Sequence, residues 1–73
     1  MLNNQTFIKI GGKYIRIADI NYYFFWEKPS EQFNQFNTML TICVSGNELS
    51  IDVSEKANEI KEYFDTLFDY TDL

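Results

Sequence analysis

Apolar residues recur at every second position through much of residues 6–51 and at every third or fourth position thereafter, so the chain predicts strands followed by one helix. Thr6 to Ile10 and Lys13 to Ile17 read as two strands joined by Gly11-Gly12. Two glycines accept the positive φ angles of a type I′ turn, whose twist matches the flanking strands, so this is a tight hairpin. It places Ile8, Ile10, Ile15 and Ile17 on one face and Lys9, Tyr14 and Arg16 on the other. Ala18-Asp19-Ile20-Asn21 predicts a turn from which Ile20 returns to the core. A third strand, Tyr22 to Glu27, is stopped by Pro29, which has no ladder donor. Thr38 to Val44 is a fourth, with Leu40, Ile42 and Val44 on one face and Met39, Thr41 and Cys43 on the other. Ser45-Gly46-Asn47 then turns the chain into a short fifth strand, Glu48 to Ile51. Residues 28–37 form a long hairpin connection or an extension of the two strands beyond the body of the sheet.

Val53, Ala57, Ile60, Phe64 and Leu67 are spaced by four, three, four and three, the stripe of an amphipathic helix, widened by Tyr63 and Phe68. Asp52 and Glu55 have capping-box spacing, and Ser54 is an alternative cap. Asp65, Asp69 and Asp72 oppose the helix dipole at its far end, so fraying is expected there. The fold expected is α+β: a small antiparallel five-stranded sheet or meander with one C-terminal amphipathic helix packed on one face. Residues 1–73 form one domain, with 1–5 and 69–73 frayed. Ile8, Ile10, Ile15, Ile17, Ile20, Leu40, Ile42, Val44, Leu49 and Ile51 make the floor of the core, and the helix stripe its lid.

One segment departs from alternation. Tyr22-Tyr23-Phe24-Phe25-Trp26 is bulky at every position, so a strand there has two apolar faces, and one helix covers only one of them. An assembly surface is therefore expected on the reverse of the sheet or along its edge. Its candidate residues are Tyr14, Tyr22, Tyr23, Phe24, Phe25, Trp26, Phe33, Phe36 and Met39.

Composition narrows the chemistry. A chain of 73 residues buries a modest core, and with Cys43 as its one cysteine no intrachain disulfide can reinforce it. Histidine is absent, which removes the commonest general base and metal ligand. Neither a signal peptide nor a membrane span is recognisable, and a cytoplasmic location is expected. No cofactor or metal is implied. Gly11-Gly12-Lys13 lies between strands and not before a helix, so it is a turn and not a phosphate loop. Asp19 with Glu27, or Glu48 with Asp52, would need a closed pocket to act as an acid/base pair, and no obvious cleft is expected.

The net charge of −5 is unevenly placed: residues 1–47 carry four basic and three acidic side chains, residues 48–73 two basic and eight acidic. Glu55, Glu59, Glu62, Asp65 and Asp69 form an acidic helix face, a solubilising surface or a docking site for a basic partner. Nucleic acid is not expected, because Lys9, Lys13, Arg16 and Lys28 form no dense basic stripe.

Gly12-Lys13-Tyr14-Ile15, Ala18-Asp19-Ile20, Thr41-Ile42-Cys43-Val44-Ser45-Gly46-Asn47 and Val53-Ser54-Glu55, in that order, resemble the small flagellar-associated FlbD family. A similar order occurs in the strand region of LytTR-type domains. The likeness spans residues 7–64 and implies the sheet-plus-helix fold. It supplies no catalytic residue. The function expected is a non-enzymatic interaction or assembly module that self-associates, as a dimer first of all. The alternative is an acidic inhibitor or regulator docking its helix on a basic partner.

Overall fold

The computed structural model describes residues 6–32 and 34–73, so expectations for residues 1–5 and Phe33 lie outside the described residues. Strands β1 (Phe7–Ile10) and β2 (Lys13–Arg16) form the expected hairpin, with Ile8 opposite Ile15 and Ile10 opposite Lys13. Gly11 and Gly12 have φ of 57° and 78°, as a type I′ turn requires. A 3-10 turn at Ile17–Asp19 follows. The Ile17 amide donates to the Thr6 carbonyl at 2.9 Å, and the Arg16 guanidinium makes two bonds to the Asp19 carboxylate at 3.0 and 3.1 Å.

β3 (Ile20–Pro29), β4 (Phe36–Val44) and β5 (Asn47–Asp52) form an antiparallel sheet with β4 in the centre. β3 and β4 run beyond the body of the sheet, so the connection between them shortens to residues 30–35. A second 3-10 turn, Ser54–Lys56, leads into α1 (Ala57–Leu67), where the chain leaves the helix.

The single five-stranded sheet expected from the sequence is corrected to two sheets, β1-β2 and β3-β4-β5. Dimensions explain the difference. A helix is about 10 Å across and strands lie about 4.8 Å apart, so one helix covers roughly two strands. α1 sets Phe64 against Tyr23 and Phe25, with ring centroids 4.8 and 6.2 Å apart, over the β3 side of the sheet. The hairpin closes the β5 side: Ile8 and Ile15 join Ile17, Leu40, Ile42, Ile51, Val53 and Phe64 in one buried cluster. Around it pack Ile10, Ile20, Val44, Leu49, Ile60 and Leu67, so the residues expected in the floor and lid, Ala57 apart, do meet in one core.

The expected capping box gives way to a local tie. Asp52 accepts bonds from the Ser54 amide (2.9 Å) and hydroxyl (2.6 Å), while Ser54 Oγ accepts the Thr38 amide at 2.9 Å. The Val53 amide donates to the Thr38 carbonyl at 2.9 Å. The start of the helix is thereby bound to β4 before its first turn forms. Hydrogen bonding to the charged form holds the Asp52 carboxyl below its ordinary range.

The hairpin tip tests this arrangement. A Cβ on Gly11 would stand 2.7 Å from Ile51 Cγ2, whereas one on Gly12 would meet nothing within 4 Å. Both substitutions carry the left-handed backbone cost of about 1–2 kcal/mol, and Gly11→Ala adds overpacking of about 1 kcal/mol or more against a stiff β-branched neighbour. In urea unfolding Gly11→Ala is expected to be the more destabilising; equal losses would place the tip away from Ile51.

Candidate interaction surface

β3 sorts its rings by strand alternation. Tyr23 and Phe25 point inward onto Phe64, and Tyr22, Phe24 and Trp26 point outward. A bulge at Asn21 sets this phase: Ile20 pairs with Val44 but Tyr22 with Cys43, leaving Asn21 as the extra residue. Without it Ile20 would share the outer face with the three outward rings. Asn21 Oδ1 accepts the Gly46 amide at 3.0 Å and the Cys43 thiol at 3.6 Å, which pins the bulge to the β4-β5 turn.

The outward rings stand beside unbranched or small residues of the central strand. Tyr22, Phe24 and Trp26 lie opposite Cys43, Thr41 and Met39, which in turn oppose Glu48, Ser50 and Asp52. Tyr22 and Phe24 are stacked, with centroids 6.4 Å apart and planes 11° from parallel. The Trp26 indole N–H donates to Thr41 Oγ1 at 2.8 Å, and Thr41 shares a 2.8 Å bond with Ser50. Thr41 and Cys43 are buried although they face outward. The rings themselves remain open: Tyr22 is 47%, Phe24 44% and Trp26 38% exposed. The polar groups of Tyr22 and Trp26 are satisfied, and all three rings keep part of their apolar surface open.

Among the other residues expected at this surface, Met39 is half-buried beside Trp26. Tyr23 and Phe25 belong to the core margin. Tyr14 lies on the separate hairpin under Lys9 Nζ, 5.3 Å from its ring centroid. Phe36 is exposed at the far end of β4, opposite Pro29. Phe33 is outside the described residues. Glu55, Glu59, Glu62, Asp65 and Asp69 are all exposed along α1 and its ends.

The carboxylates considered as acid/base pairs have separate partners. Asp19 holds Arg16, Glu27 accepts the Thr38 hydroxyl at 3.3 Å, Glu48 accepts the Tyr22 hydroxyl, and Asp52 holds Ser54. Among the described residues no cluster of three or more acidic or cysteine side chains is placed to hold a metal ion. No helix of the described residues is long and apolar enough to cross a membrane. One expectation needs correcting: a groove of about 960 Å³ does run between β1 and α1, bordered by Phe7, Lys9, Ile10, Glu59, Ile60 and Tyr63. It exists because the hairpin folds over the sheet instead of extending it, which alternation alone does not reveal.

No match was found among protein-family models, curated proteins or solved structures. What the surface can do therefore follows from its geometry.

The hydrogen bond to Glu48, reinforced by partial burial, pushes the Tyr22 phenol up to about 12. A phenol held above its unfolded value of about 10 stabilises the fold fully below that pH, and the contribution is lost as pH rises through about 12. Alkaline absorbance titration, differenced against Tyr22→Phe, is expected to show this late ionisation and to show it fall toward 10 in Glu48→Gln. A Tyr22 that titrates near 10 in the unaltered protein would contradict the bond.

Proposed function

We propose that this protein is a non-enzymatic assembly module that associates with copies of itself through the aromatic surface of β3. The reading rests on one observation: three adjacent rings stand 38–47% exposed on a sheet whose opposite face is already occupied by the helix and hairpin. Rigid rings with hydrogen-bonded rims offer large apolar area at little entropic cost, which is why such residues carry binding energy.

Sedimentation at micromolar concentration is expected to give a dimer. Phe24→Ser or Trp26→Ser, each removing an anchor of about 2 kcal/mol from both copies, should weaken it roughly 1,000-fold. Moderate salt should weaken it no more than a few-fold, and reversing Glu59 and Glu62 to Lys should leave it intact. A protein that stays monomeric at every concentration, or a complex that dissolves with salt or with the helix reversals, would overturn the reading.

A further inference from the structure

We infer that the copies join edge to edge, β3 against β3 about a two-fold axis through Phe24, making one continuous six-stranded antiparallel sheet. This rests on the self-association proposed above and specifies its geometry.

β3 is the longest strand in the described residues, ten residues, and it hydrogen-bonds a neighbour on one side only. Its other edge offers a row of backbone donors and acceptors, the template for adding a strand. The remaining edges are poorer: β1 and β2 have four residues each, and β5 has six, with the hairpin tip against Ile51. Lys28 and Pro29 blunt the end of β3, leaving the stretch from Tyr22 to Glu27 with no second ladder partner among the described residues.

Register follows from symmetry. Residues directly opposite in an antiparallel pair face the same side of the sheet, so a strand paired with its own copy must place the axis on a residue. Centred on Phe24, the pairing sets Phe24 against Phe24 of the second copy and Tyr22 against its Trp26, so all six outward rings meet. The same register sets Tyr23 against Phe25 of the second copy and leaves Pro29 beyond the ladder, opposite the 3-10 turn. Centring on Phe25 or Trp26 instead draws Pro29 in, where its missing donor breaks a rung.

Charge on the inner face favours the same occupant. Lys61 Nζ lies 5.6 Å from the Phe25 ring centroid. Asp65 is near enough to Tyr23 for its charge to add to burial, the larger cause, in raising the Tyr23 phenol. Since Tyr23 faces Phe25 of the second copy, Asp65 of each chain comes toward Lys61 of the other, and the contact occurs twice. In a face-to-face dimer both helices lie on the outside, far from the contact.

The test is a charge exchange. Lys61→Asp alone and Asp65→Lys alone should each weaken the dimer roughly tenfold, and the double variant should restore it. Hydrogen exchange of the alternate β3 amides between Tyr22 and Glu27 that face the free edge should slow as the protein is concentrated. A dimer indifferent to all three variants, with these amides exchanging as in dilute protein, would overturn edge pairing while leaving self-association through the rings in place. A chain that is monomeric throughout would remove both.

Discussion

Successive side chains of a strand point to opposite faces, and β3 places five aromatic residues in succession. Everything else in the molecule accommodates that constraint. Two of the rings are absorbed, because Phe64 of α1 rises between them and is itself 1% exposed. Full burial of such a ring is worth about 1.5–3 kcal/mol, a large fraction of what a domain this small can hold. The other three meet no second layer among the described residues. The material that might have formed one is already committed: the hairpin and helix together close the inner face.

The bulge at Asn21 makes this division possible. It lets Ile20 enter the core one residue out of phase with Tyr23 and Phe25, so the inner face loses no apolar contact at the strand's start. The cost is a residue out of register, offset by two hydrogen bonds that Asn21 Oδ1 accepts, from the Gly46 amide in the β4-β5 turn and from the Cys43 thiol. That turn carries Ser45 at φ 51° and Gly46 at φ 85°, the left-handed pair a two-residue hairpin demands. The Ser45 amide also donates to the Asp19 carbonyl at 3.2 Å. Bulge, turn and 3-10 segment thus hold one another at the end of the sheet where the aromatic surface begins.

Much of this was legible in the residues. Gly11-Gly12 announces its hairpin, the stripe from Val53 to Leu67 its helix, and the alternating aliphatics their burial, because each is a local rule with one good solution. The split into two sheets was not, since strand pairing depends on which gaps the helix leaves and not on any single strand. Asn21 gave no signal of a bulge; only its distance from Gly46 in the folded chain explains it. The separation of Tyr14 from the other surface rings, and the groove beside α1, both follow from that same sheet division. The capping role foreseen for Asp52 is not kept: neither the 3-10 turn nor α1 carries a side-chain cap, and Asp52 is bound to Ser54 instead.

The outward rings stand 38–47% exposed in the lone chain and gain neighbouring rings from a second one. Trp26 is the only tryptophan, so its fluorescence reports on that surface alone. Over a dilution series from high to low micromolar and below, emission should move to longer wavelength and acrylamide should quench it more readily as the copies separate. Emission and quenching that stay constant across the whole series, in a protein that remains folded, would contradict the account.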